Sequence, residues 1–159
     1  MSRTFRVTLS TRDWLKAGAI GIAVSILTAA LMLAAKKAGV SPLPKPLGLA
    51  FAETLLGTEL PLPVGLLFHT AWVTTFSVLY IVAFRNALSF WRALSLAAAL
   101  WAIVLLVFYP IVGWGAFGLA VGRMLIVGSA VPHLLFAVFL WGLCRLAFSS
   151  ALPGPAYPR

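Results

Sequence analysis

His69 and His133 are the only histidines in the chain, and they are the residues best equipped to bind something. Each falls near the start of an apolar run, and each lies 23 residues after a proline, Pro46 in one case and Pro110 in the other. Neutral imidazole is the form that ligates metals, and it is a common axial ligand of haem. Close to a helix N-terminus the backbone dipole disfavours an added positive charge, which favours that neutral form. Two rings at similar depth on separate helices could hold haem b between them. Lys36, Lys37, Lys45 or Arg123 would then lie near the propionates. A divalent metal is the other chemistry, with Glu53 or Glu59 completing the shell around His69 and His133. The plainer reading is that each ring hydrogen-bonds to a neighbouring helix or loop, an interaction worth about 0.6 kcal/mol in membranes.

Few other residues suit catalysis. The acids are Asp13, Glu53 and Glu59 alone, too few to hold nucleotide with magnesium, and neither a nucleophile motif nor a phosphate loop is present. The single cysteine, Cys144, allows no internal disulfide and belongs to no Cys/His cluster, so it reads as a small apolar filler. Thr70, Thr74 and Ser77 continue a polar stripe from His69. That stripe is either a solute path or a surface for helix packing and back-bonding to carbonyls. Ion-coupled transporters place carboxylates at mid-membrane depth, and no apolar run here carries a charge in its middle.

The elements that must position these side chains are membrane spans. Hydrophobic residues make up 62% of the 159-residue chain and charged residues 9%, against about 25% charged in soluble domains. Charge-free runs cover 17–35, 64–84, 93–112 and 124–144. Each is close to the ~20 helical residues that cross a bilayer core, and in lipid a lone segment can satisfy its backbone only as a helix. With Ser129 as cap and Pro132 in the first turn, the fourth span is placed at 129–148. The first run is too long for a signal h-region and lacks a clear cleavage site, so it is expected to remain as a span.

The net charge of +9 flanks these spans, which points to a membrane surface and not to nucleic acid. With the N-terminus in the cytoplasm, Arg3, Arg6, Arg12, Lys16, Arg85, Arg92, Arg145 and Arg159 lie inside. Lys36, Lys37, Lys45 and Arg123 lie outside. This bias favours both termini inside.

Gly18, Gly21, Ser25 and Thr28 give the first span a small-residue stripe for close helix packing. In the first outer loop, residues 47–60 form an apolar segment between prolines, lying on the membrane surface or tucked against the bundle. The short link at 85–92 predicts that the second and third spans pack side by side. A glycine–aromatic loop follows the third span, with Pro110, Gly113, Trp114, Gly115, Phe117 and Gly118. The matched Pro-to-His spacings point to two tandem helical hairpins related by an axis along the membrane normal. Residues 151–159 read as a disordered tail.

The Pro110, Gly113, Trp114, Gly115 turn and His133 near the start of the last span resemble features of the YagU-like group of small bacterial inner-membrane proteins. The resemblance extends over Pro46 to Phe148. In that group the last-span motif often continues with an aromatic and a glycine, whereas here Leu134, Leu135 and Phe136 lead to Ala137. No chemistry is assigned to the group, so the resemblance implies only a four-span architecture in the bacterial inner membrane.

The sequence therefore predicts a single all-α membrane domain over 1–150, a four-transmembrane-helix bundle with a short interfacial segment. The expected role is a non-enzymatic subunit or accessory factor of a membrane assembly, with the lipid bilayer and other membrane proteins or further copies of itself as partners. The alternatives are a haem b or metal-binding protein using His69 and His133, and a component of a small-solute channel or transporter.

Overall fold

The computed structural model describes residues 10–148; the disordered tail expected at 151–159 lies outside them. Four long helices are apolar and long enough to cross a bilayer: α1 (Thr11–Lys37), α3 (Leu62–Phe84), α4 (Phe90–Ile111) and α5 (Met124–Phe148). A short helix, α2 (Leu47–Leu56), sits between α1 and α3. No strand occurs among the described residues. The chain is a helical multi-pass membrane protein.

Local chemistry sets most of the helix ends. Ser10 and Asp13 form a reciprocal capping box at the start of α1, satisfying two otherwise orphaned N–H groups. Lys36 and Lys37 occupy its last turn, where cations complement the carbonyl end of the dipole. α2 stops at Gly57, whose φ of 66° is the left-handed conformation that glycine adopts freely. Ser89 caps α4 by accepting from the Arg92 N–H at 3.3 Å.

The fourth span differs from expectation at its start. α5 begins at Met124, so Ser129 is an interior residue and Pro132 lies inside the helix instead of in its first turn. Nothing between 124 and 128 breaks the helix, and the break falls upstream in the glycine-rich loop. Proline inside a helix removes one hydrogen bond and crowds the preceding turn. The Pro42 ring packs onto Gly128 in that turn, in the space a side chain would fill.

α1 packs closely on α3, α4 on α5, and α1 on α5, while α2 lies against α3. The tightest long-helix pairs are thus the two sequential hairpins, joined by α1 and α5. The expected side-by-side packing of the second and third spans is not found. α3 and α4 are not a close backbone pair, and they meet through large side chains. Trp72 and Phe108 stack edge-to-face at 5.0 Å, and the Tyr80 hydroxyl donates to the Ser89 carbonyl at 2.9 Å. Bulky aromatics hold the two backbones apart despite the short link.

The small-residue stripe of α1 is the α1–α3 seam. A Cβ at Gly21 would lie 2.8 Å from Thr74 Cα, so only glycine permits this crossing. Ser25 then donates to the Thr70 hydroxyl at 2.8 Å. Ser77 donates back to the Val73 carbonyl at 2.8 Å. Thr70 and Ser77 of the polar stripe on α3 are therefore engaged in packing and back-bonding, while the buried Thr74 hydroxyl has no hydrogen-bond partner among the described residues. Leu15, Ile26, Leu67, Leu79 and Leu106 stay exposed on the outside of the bundle, as lipid-facing side chains are.

Candidate functional site

At the end of the bundle that carries α2, α1, α3, α4 and α5 line a partly open cavity of about 250 Å³, with α2 as a further wall. Its interior is mostly apolar and rich in aromatic rings, among them Phe51, Phe68, Trp72, Phe108 and Phe136. His69 and His133 both line it. The structure brings together the two residues that the sequence singled out.

α3 and α5 run in the same direction from this end, which places the two rings at comparable depth. His69 is in the second turn of α3. His133 is in the third turn of α5, deeper than the first turn expected, because α5 starts earlier.

The hydrogen-bond partners point to which nitrogen of each ring carries the proton. The Thr28 hydroxyl has one hydrogen, directed at the Val24 carbonyl at 2.8 Å and the Ser25 carbonyl at 3.1 Å. Its oxygen lies 3.2 Å from His69 Nε2, so it accepts there and His69 is the Nε2–H tautomer. His133 Nδ1 lies 2.6 Å from the Ser129 carbonyl. A carbonyl only accepts, so His133 is the Nδ1–H tautomer. Each neutral ring keeps one unprotonated nitrogen: Nδ1 on His69 and the distal Nε2 on His133. In metal sites the same second-nitrogen bond to a carbonyl orients a ligating histidine.

Other polar groups around the cavity are held by the protein. The Trp101 indole N–H donates to the Ser129 hydroxyl at 3.0 Å, which donates to the Ile126 carbonyl at 3.1 Å. Tyr109 is buried, with its hydroxyl 3.5 Å from the Leu125 carbonyl. Lys36 and Lys45 also line the cavity. Lys36 donates to the Pro44 carbonyl at 2.8 Å, and Lys45 pairs with Glu53 at 2.6 Å.

The two glutamates stand apart from the histidines. Glu53 is bonded to Lys45 and accepts from the Leu60 N–H at 3.4 Å. The Lys45 ammonium is the main reason its carboxyl sits below the usual glutamate range. Glu59 is exposed. Neither lines the cavity, and no group of three or more His, Cys, Asp or Glu residues able to hold a metal occurs among the described residues. The proposed shell of His69, His133, Glu53 and Glu59 is therefore not assembled. Lys37 and Arg123 are exposed and do not line the cavity either. Cys144 is buried in the core at the opposite end, among Ala17, Tyr80 and Leu140.

Several contributors were not singled out from the sequence as site residues. Thr28 belonged to a packing stripe, yet its upper end is the hydrogen-bond partner of His69. A π-helical turn at Val104–Phe108 interrupts α4. Such turns are rare and concentrate at functional sites. Tyr109 N–H bonds to the Val104 carbonyl, five residues back. The turn directly precedes Pro110, which has no N–H to continue an α-helical ladder, and it brings Val104, Phe108 and Tyr109 to the cavity wall. Beyond it, Gly113, Gly115 and Gly118 take φ values of 74–78°. These turns fold Trp114 back onto Tyr109, with ring centroids 5.3 Å apart. The proline was the one signal in the sequence for this distortion.

Comparison of the chain with known protein families, with curated proteins and with solved structures finds no match.

Proposed function

We propose that this is a non-enzymatic membrane protein that holds a compact, largely apolar ligand in the cavity at the α2 end, with His69 and His133 as its polar contacts. The observation that carries the reading is that the chain's two histidines, 64 positions apart in sequence, line one aromatic-walled cavity. A mostly apolar pocket with a few convergent polar groups is the usual form of a small-molecule site. The distribution of basic residues supports a bacterial inner-membrane location, with the termini in the cytoplasm and the cavity in the outer half. The Pro110, Gly113, Trp114, Gly115 turn supports kinship with the YagU-like group. An accessory role in a larger membrane assembly, in which ligand occupancy is passed on to partner helices, fits the absence of catalytic machinery in the sequence.

The alternatives have weaker support. A cavity of about 250 Å³ is below the roughly 300–1,000 Å³ of drug-sized sites, and a tetrapyrrole is larger still. A solute path along α3 would need a row of free hydroxyls, but those of Thr70 and Ser77 are engaged with Ser25 and Val73, which leaves only the buried Thr74 hydroxyl of that stripe without a partner among the described residues.

The test is small-molecule mass spectrometry on protein isolated in native lipid discs, wild type beside Ala29→Phe. Ala29 lines the cavity, and a phenyl ring there would occupy it. A compact apolar compound enriched with wild type and lost from the variant is the expected result. Identical small-molecule profiles for the two proteins would contradict the reading.

A further inference from the structure

We propose that the ligand is a hydroxylated aromatic ring, a phenol or the head of a quinol, whose O–H donates to the unprotonated nitrogen of His133, with His69 as a second acceptor. This rests on the cavity being a ligand site and names the class of molecule it takes.

Three observations lead to this class. The first is the pair of opposite tautomers. His133 gives its Nδ1–H to Ser129, and His69 gives its Nε2–H to Thr28, so each ring is left an acceptor toward any further partner. The second is the state of the hydroxyl donors beside the histidines. The Thr28 and Ser129 hydroxyls, which bond or neighbour the two histidines, both point at protein acceptors, while the Trp72 indole N–H and the Lys36 and Lys45 ammoniums lie elsewhere on the cavity wall. Between the two histidines, a polar group that only accepts, such as an ether, would find the Thr28 and Ser129 hydrogens already engaged. A ligand that donates finds imidazole nitrogens, which are strong acceptors, in a site where water competes poorly. The third is shape. Phe51, Phe68, Trp72, Phe108 and Phe136 surround the space, and aromatic walls favour a flat ring in edge or offset contact. The Phe51, Phe108 and Trp72 rings already pack edge-to-face on one another, at 4.9 and 5.0 Å, leaving ring faces and edges as the lining.

The experiment compares 4-butylphenol with 4-butylanisole, its methyl ether, by isothermal titration into the full-length protein in mild detergent. The two probes share the ring and tail and differ in the O–H. The phenol is expected to bind at least about five-fold tighter, the worth of one net hydrogen bond. That preference should vanish in His133→Phe, which keeps an aromatic ring and removes the acceptor. Equal affinity for both probes in wild type would overturn this inference while leaving the cavity as an apolar site. Failure of both probes to bind would overturn the ligand-site reading as well. The comparison in wild type stands even if the variant folds poorly. To separate sources, a short-tail quinol is titrated beside the phenol. Tighter quinol binding identifies a lipid-soluble quinol as the occupant, and equal binding identifies a simple phenol.

Discussion

Gly65→Ala is the sharpest perturbation of the cavity wall. α2 lies on α3 through two glycines. A Cβ at Gly65 would lie 2.5 Å from Leu49 Cβ and 2.7 Å from both Leu49 Cα and N, and a Cβ at Gly48 would lie 2.6 Å from the Gly65 carbonyl oxygen. These neighbours are mainly backbone, which cannot rotate aside, so α2 must move. With three contacts below 3.0 Å, overpacking here falls in the upper part of the usual range, about 2–3 kcal/mol. Alanine's preference for helix over glycine returns up to about 1 kcal/mol, leaving a net loss of about 1–2 kcal/mol. At roughly 2–4 °C per kcal/mol for a chain of this size, the Tm in mild detergent should fall by about 2–8 °C. Limited proteolysis near Lys45 should speed up as α2 loosens. Gly18→Ala is the control, because a Cβ there meets nothing within 4 Å, and it should cause no loss. An unchanged or higher Tm for Gly65→Ala, with α2 still protected, would refute the close approach and with it this wall of the cavity.

Three other outcomes follow from the same structure. A double-mutant cycle with Ser25→Ala and Thr70→Val should give a coupling of about 0.6 kcal/mol, read from thermal unfolding, and zero coupling would mean the α1–α3 hydroxyl pair does not form in the membrane protein. Because Lys45 holds the Glu53 carboxyl below its usual value, the pair's contribution is present at neutral pH and fades as pH falls through that lowered value. Glu53→Gln should therefore flatten the acid side of the protease-protection profile of α2 while changing little at pH 7. The size of the cavity predicts a flat reduced-minus-oxidised spectrum for protein purified from haem-replete cells. A shifted Soret band with α and β bands, lost in His69→Ala and His133→Ala, would restore the cytochrome reading.

Much of the architecture was legible because the bilayer imposes a length. The four charge-free runs became four long helices, and the first outer loop became a short helix, tucked against α3. The glycine–aromatic loop formed turns where Gly113, Gly115 and Gly118 demanded them. The pairing of helices was less legible. A short link fixes direction but not distance, and Trp72, Tyr80 and Phe108 keep α3 and α4 apart where a rule based on loop length predicts contact. Pro132 looked like a helix start because proline favours the first turn, but the membrane tolerates it inside a span. The shared depth of His69 and His133 was readable from their places in two parallel spans. Their tautomers were not, because they depend on Thr28 and on the Ser129 carbonyl, whose roles appear only once α1 has packed on α3 and α5 has formed. Glu53 looked available as a metal ligand until the fold placed Lys45 beside it.

The most direct test is the ¹⁵N NMR spectrum of histidine-labelled protein in detergent, with and without 4-butylphenol. Only two histidines exist, so four ring nitrogens report on the site. The expected spectrum has two neutral rings of opposite tautomer, His69 with Nε2–H and His133 with Nδ1–H. Adding the phenol should move the unprotonated nitrogen of His133 toward the hydrogen-bonded range, in a saturable way. Two rings of the same tautomer, a charged ring at neutral pH, or nitrogens indifferent to the probe would contradict the account.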